Sequence, residues 1–398
     1  MPGPLADIRV IDLTMWVQGP MASTLLADLG ADVIKVEKAG VGDFARNLQS
    51  VFGVDLRRGD EPNLLWTICN RNKRGLALDL RDPRARPVFE TLVREADVLV
   101  TNLMAGPLAE FGADEASVRA INPRIVYARA AGFGEFGPWA DDPCQDTVGM
   151  AYAGFLFTCS PDGVTPYYPP GAMSDVISGT MMAFGVLAAL RERDRTDEGQ
   201  YVSTSQLQSL LWVQSLNFGA VANLGTPFEF SSRTAPPNPM FNTYLCGDGR
   251  WLALGMAVPA MWPAMCEAIE RPDLASDRRF AGMDARRSNS AECTRILDAH
   301  FMTGTAERWL TALRARGLWV APINRIEDLP ADPQVAANNL VITLADGSKA
   351  ARMPFTLRGH EPGLGRAPEH GEHSDAVLSD IGFEGEAVLE LRAAGVVW

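Results

Sequence analysis

Residues 8–37 read IRVIDLTMWVQGPMASTLLADLGADVIKVE. Residues 8–13 form a short apolar run of strand length. Gly19 and Pro20 then open a helical stretch to about residue 29, with proline in the first turn, where its missing N–H costs nothing. Gly30 ends it, and DVIKVE (32–37) is a second apolar run. Moving outward, similar runs stand at 76–80, 97–102 and 125–131, with helical patterns between several of them, notably at 84–95. Alternating strands and helices predict a parallel sheet with helices on both faces, an α/β fold. A dinucleotide-binding chain carries G-x-G-x-x-G in its first loop so that backbone N–H groups can approach a pyrophosphate. Here that loop is TMWVQGP (14–20), which argues against a nicotinamide-dependent dehydrogenase. G-x-x-x-x-G-K-[ST] is also missing, which excludes a P-loop enzyme.

Residues 175–193 form a long, mostly apolar helical pattern expected to be largely buried. Near 225–239 the texture changes to TPFEFSSRTAPPNP, a linker or loop. A hairpin follows, with strands at 244–246 and 251–254 around Gly247-Asp248-Gly249, and then helical patterns over 260–317. The expected division is a large domain over 1–227, a smaller α+β domain over 228–326, and a C-terminal segment, 327–398, that returns to the large domain.

The chain has 398 residues and a net charge of −13. That balance disfavours nucleic acid or an anionic membrane as partner. Between residues 35 and 86, eleven Lys/Arg stand against seven Asp/Glu. This local excess of four is either a solvated basic face or a site for a phosphorylated ligand. The six cysteines include no C-x-x-C pair, which speaks against a disulfide scaffold or zinc site and for a reducing compartment. There is no basic and apolar leader, and no run of about eighteen uninterrupted apolar residues. The expectation is therefore a cytoplasmic protein without a membrane span.

Only four histidines occur, all in the last quarter: His300, His360, His370 and His373. A Ser-His or Cys-His mechanism needs a histidine beside its nucleophile, so scarcity tilts the expectation toward carboxylate chemistry. His370 and His373 are read as polar residues of a surface loop, and no metal site is expected. Asp175 precedes the apolar helix. By local physics it is an N-cap. The same place suits a catalyst, because a helix N-terminus favours negative charge and apolar surroundings keep water from a reactive acyl group.

Several stretches resemble the class III (CaiB/BaiF-type) coenzyme A transferase family, in order and over nearly the whole chain. They are DLTMWVQGPMASTLLADLGADVIKVEKAGVGDFAR, NRNKRGLALDLRDP, ADVLVTNL, GFGEFGPWADDP, GAMSDVISGTMMAFGVLAALRERDRTDEGQYV and the closing APEHGEHSDAVLSDIG. The resemblance implies a Rossmann-like large domain, an interlaced homodimer, and acyl-CoA and free carboxylic acids as substrates, with no tightly bound cofactor. It places the family's nucleophilic aspartate on Asp175. CoA-binding positions fall on Lys38, Arg46, Leu78, Arg81 and Asn102, with Asn72 and Lys73 as weaker candidates. Asp146 falls on an acidic position near the acyl group, where a structural cap is an equal alternative, and Gln18 lines the active site. Trp16, Trp139, Tyr167 and Tyr168 are candidates for an acyl pocket or for plain core. Oxalate-type members carry a glycine run over the active site. The corresponding SSRTAPPNPMFN (231–242) argues against so small a dicarboxylate.

Two other readings stay open. An α-methylacyl-CoA racemase shares the resemblance, but its pattern has a histidine just before the aspartate, where this chain has Cys144-Gln145-Asp146. Proton transfer at an α-carbon needs that positioned acid–base group. The third reading is a CoA-binding protein without catalysis.

Overall fold

The computed structural model describes residues 3–228 and 232–398, so residues 229–231 of the Pro-rich stretch, the last of which is the first serine of SSRTAPPNPMFN, lie outside it. The chain divides into two compact units. One comprises Met1–Cys159, Pro166–Thr226 and Asn339–Trp398, and the other Ser160–Thr165 and Pro227–Asn338.

The first unit is built on six parallel strands: β1 (Arg9–Leu13), β2 (Asp32–Glu37), β3 (Arg74–Ala77), β4 (Val98–Thr101), β5 (Val126–Ala131) and β6 (Tyr201–Ser205). They pair in the order β3-β2-β1-β4-β5-β6. This is the doubly wound order, in which chain direction across the sheet reverses between β1 and β4 and leaves a crevice at the carboxyl ends of those strands. The expected α/β class with a parallel sheet is found. Side chains alternate across the sheet as the two-residue strand period requires. Val10, Val33, Val98 and Val126 face helices α1 (Gln18–Asp28) and α5 (Met173–Thr196), with Leu26, Met182 and Val186 between them. Ile11, Ile34, Leu99 and Tyr127 face α3 (Arg86–Glu95) through Phe89 and Leu92, and residues 377–397 complete that layer. Between β2 and β3 lies α2 (Leu64–Asn70). Ahead of α5 comes α4 (Asp146–Tyr152), and after β6 come α6 (Gln206–Val213) and α7 (Ser215–Leu224).

Two expectations shift, and one strand has no counterpart among them. The third strand ends at Ala77 rather than residue 80, because Leu78 turns out of the sheet to bridge Val397. The sixth strand, YVSTS, has too few apolar residues to read as one, being a polar edge strand beside β5. Finally, α5 is one-sided rather than largely buried. Its stripe of Ser174, Ser178, Met182, Val186 and Leu190 is covered, while Phe184 is 71% exposed. By length and composition α5 could cross a membrane, yet 44% of its most apolar window is buried within the fold.

The second unit holds a three-stranded antiparallel sheet, β7 (Phe241–Leu245), β8 (Trp251–Gly255) and β9 (Val320–Pro322). The expected hairpin is present, and its core is packed around Trp262, Phe301 and Trp309. All six cysteines are free thiols.

Beneath the crevice of the first unit lies a fully buried charge cluster. Asp12 on β1 accepts from Lys73 Nζ at 2.8 Å and faces Lys35 Nζ at 3.6 Å, and Lys35 also pairs with Asp43 at 3.2 Å. Lys73 further donates to the carbonyls of Pro20 and Cys69 and to Asn70 Oδ1, and Lys35 donates to the Thr14 carbonyl. Burial opposes the charge on Asp12, but the two ammonium groups hold its acid well below the usual range. Burial pushes Lys73 down to about 8. The cluster ties the loop after β1 to β2 and to the residue preceding β3.

Candidate active site

The expected N-cap is not Asp175. The helix α5 begins at Met173, and Ala172 before it has left-handed backbone (φ 53°), a conformation that costs a non-glycine residue about 1 kcal/mol. Asp175 therefore stands in the first turn. The cap comes from another helix: Asp146 Oδ1, at the start of α4, accepts the N–H groups of Ser174 (2.7 Å) and Asp175 (3.1 Å). Local sequence favours an aspartate at the cap, but a carboxylate 29 residues upstream has taken that role and left the Asp175 side chain for other contacts. Tyr168 donates to Asp146 Oδ2 at 2.9 Å.

Among the described residues the Asp175 carboxylate accepts one side-chain hydrogen bond, from Gln206 Nε2 to Oδ1 at 2.6 Å. Burial and the neighbouring charge of Asp146 push its acid from 3.8 up to about 7, and the Gln206 bond opposes that rise. The nearby Cys144 thiol is raised to about 11 by burial and by the same two carboxylates. The result is a half-buried carboxylate, poorly solvated and pressed by a like charge, which makes it a better nucleophile than an aspartate in water. The sign of the pH dependence follows. If this carboxylate is the nucleophile, it must be ionised to attack, and the acid limb of kcat/KM is then expected near pH 7. Asp146→Asn keeps an acceptor for the helix N–H groups and removes the like charge, so it is expected to move that limb to lower pH. A pH–rate profile whose acid limb stays put or moves upward contradicts the coupling.

Gln18, the first residue of α1, is buried and donates from Nε2 to Ala131 O (3.2 Å) and Ser178 Oγ (3.0 Å). Ser178 Oγ donates to the Asp175 carbonyl at 3.3 Å. Gln18, Asp146 and Asp175 are thus brought into one constellation at the carboxyl end of β5.

The other candidates lie around the ends of β2, β3 and β4. Asn102 spans the reversal point of the sheet: its Oδ1 accepts from Met15 N–H and its Nδ2 donates to the Met15 carbonyl, both at 2.9 Å. Arg46 lies flat on the Trp66 ring, 3.6 Å from its centroid, and makes two 2.6 Å bonds to Glu37. Leu78 is buried in the core, and Arg81 is exposed beside Glu110. The basic excess of 35–86 is mostly internal pairing rather than an open phosphate face. Asp12, Asp28, Asp32, Asp346 and Asp380, all outside that stretch, neutralise Lys35, Lys73, Arg71, Arg74 and Arg58. Lys38 is exposed and has no acidic partner among the described residues. Of the weaker candidates, Lys73 is consumed by the buried cluster, while Asn72 holds Asp28 and the 363–365 backbone.

Among the aromatic candidates, Trp139 packs with Phe133 and Tyr152, Trp16 stacks on Phe44, and Tyr168 meets Phe52. His370 and His373 bond the backbone of Lys38 and Gly75, and no cluster of three or more metal-ligating side chains occurs among the described residues.

Gln206 was invisible in sequence. It stands at the junction of a strand that itself could not be read, and only the strand-to-helix turn aims it at Asp175.

Residues 5–374 match the model of CoA-transferase family III. The chain is 32% identical to the succinyl-CoA–L-malate CoA-transferase beta subunit of Chloroflexus aurantiacus, over 99% of this chain and 98% of that one. It is 33% identical to the succinate–glutarate CoA-transferase of Agrobacterium fabrum, over 95% and 96%. The crystal structure of a CaiB/BaiF family protein from Brucella suis superposes with a TM-score of 0.84 at 28% identity, covering 96% of this chain and all of that one.

Proposed function

Because the chain belongs to CoA-transferase family III, we propose that it moves CoA from an acyl-CoA to a free carboxylate through an aspartyl-CoA thioester on Asp175. The observation that carries this reading is the placement of Asp175. One carboxylate oxygen is held by Gln206, the other has no hydrogen-bond partner among the described residues, and the acid is raised to about 7. In this mechanism Asp175 Oδ2 attacks the thioester carbonyl and CoA thiolate leaves, giving a mixed anhydride. The thiolate then attacks the aspartyl Cγ, the Cγ–Oδ2 bond breaks, and the first acid departs with that oxygen. A second carboxylate attacks the aspartyl thioester and the steps reverse. Holding the thiolate in place makes its return an intramolecular event, which replaces the need for a strong nucleophile. The thioester energy is conserved, so no ATP enters.

The nucleotide end of CoA is placed in this proposal along the carboxyl ends of β1–β4, where doubly wound sheets bind their ligands. Lys38 would supply an unpaired charge for a phosphate there, with Arg46, Leu78, Arg81 and Asn102 along the crevice. Succinyl-CoA with malate or glutarate heads the panel of substrate pairs, since the relatives are named for them. A homodimer belongs to the same proposal. Trp212, Leu216 and Leu224, on α6 and α7, are 71%, 80% and 77% exposed, more apolar surface than a monomer usually leaves to water.

The test is chemical trapping. With succinyl-CoA and no acceptor, hydroxylamine is expected to convert Asp175 to a hydroxamate found by peptide mass spectrometry. Transfer activity with an unmodified Asp175 peptide counts against the covalent route. An α-methylacyl-CoA racemase is disfavoured because its pattern has a histidine just before the aspartate, where this chain has Gln145, an amide that cannot exchange a proton at neutral pH.

A further inference from the structure

Resting on that reading, we infer that Gln206 is a catalytic oxyanion donor for the aspartyl intermediates and that Cys144 fixes its orientation. Gln206 is buried, and its amide bridges two groups: Nε2 donates to Asp175 Oδ1 at 2.6 Å, and Oε1 accepts from Cys144 Sγ at 3.1 Å. An ionised carboxylate can only accept, which turns Nε2 toward Asp175 and leaves Oε1 to take the thiol proton, so one amide orientation suits both contacts. The flipped amide would set Oε1 against a carboxylate oxygen.

The surroundings are shaped for this pair. A Cβ on Gly149, within α4, would stand 2.0 Å from Gln206 Oε1 and 2.9 Å from its Cδ. A Cβ on Gly132, just after β5, would stand 2.0 Å from Cys144 Cβ and 2.7 Å from its Sγ. Neither glycine has a positive φ, so what each supplies is room. Two independent glycines therefore make space for the two members of one hydrogen-bonded chain that ends on the nucleophile.

The chemistry gives this chain a task. After Oδ2 has attacked, Oδ1 is the carbonyl oxygen of the mixed anhydride. When thiolate adds to Cγ, the electron pair of that carbonyl moves onto Oδ1. Collapse returns it as Cγ–Oδ2 breaks and the acid leaves. The same charge forms again on Oδ1 when the second carboxylate adds and thiolate is expelled. An amide N–H already in place on that oxygen needs no reorganisation, and donors of this kind contribute about 10²–10³ in kcat.

The test compares steady-state kinetics of Gln206→Leu, Cys144→Ala, Cys144→Ser and Asp175→Asn with wild type. Gln206→Leu is expected to lower kcat about 10²–10³-fold while KM for the acyl-CoA stays within about threefold, because the donor acts on an oxygen of Asp175 and not on the bound acyl-CoA. Cys144→Ala frees the amide to rotate and is expected to lose about tenfold, most of it restored in Cys144→Ser, which keeps a donor. A kcat within about fivefold of wild type in Gln206→Leu, or a KM that rises in step with the loss, overturns the assignment. If that variant does not fold, Gln206→Met decides by the same criterion, since its unbranched side chain keeps nearly the same length and volume and lacks the donor. Transfer by Asp175→Asn would sink the aspartyl route itself. An inactive Asp175→Asn beside a normal Gln206→Leu would remove only the role of Gln206.

Discussion

Asp175→Asn is expected to lose CoA transfer by about 10⁴-fold or more while becoming more stable than the wild type above neutral pH. The two effects share one cause. Asn can still accept the Gln206 bond and sits beside Asp146 without like-charge repulsion, but it cannot form an anhydride. In the wild type the acid is raised from 3.8 to about 7, by burial first and Asp146 second. Between those pH values the folded chain holds a proton that the unfolded chain has released, so folding stability falls as pH rises through the window. The full penalty is present above pH 7 and absent below about pH 4. Removing it is expected to raise the stability of the variant by up to about 4 kcal/mol at pH 8, with the gap closing toward pH 4. Urea denaturation at both pH values, with the transfer assay, checks this. An inactive variant with no pH-dependent gain would mean that the carboxylate is not strained in the free enzyme.

Asp12→Ala is expected to cost 3–5 kcal/mol, roughly the largest stability loss available to a single side chain of the first unit. Asp12 is fully buried and is the acid that Lys73 contacts, while Lys35 keeps Asp43. Its removal leaves an ammonium group in the interior with only carbonyls and an amide around it. Lys73→Met in the Asp12→Ala background is expected to recover much of the loss, since the uncompensated charge then disappears. The measurement is the urea midpoint of both proteins. A loss under about 1 kcal/mol for the single variant, or no recovery in the double, would show that the cluster is not a unit. Because the cluster supports the loop that carries Trp16 and Gln18, the single variant is also expected to lose activity ahead of global unfolding.

Much of the scaffold is legible from the chain alone. The runs at 8–13, 32–37, 97–102 and 125–131 are strands because β-branched and aliphatic side chains are needed on both faces of a covered parallel sheet. Residues 201–205 escaped because an edge strand has one poorly covered side and can be polar. The basic stretch misled in the other direction. Counting charge along the chain cannot see that Asp12, Asp28 and Asp346 fold back onto it.

The sequence by itself determined the fold class and the family, since each rests on residue order or on short-range periodicity, and it was the family resemblance that singled out Asp175 as the proposed nucleophile. The tertiary structure alone decided which carboxylate caps the helix and which one is left poorly solvated beside a like charge, and it alone brought Gln206 and Cys144 to the latter. Those outcomes depend on contacts between residues 28 to 62 positions apart, whose energies are set by distance and solvent exclusion, and neither quantity is written in a linear order of side chains.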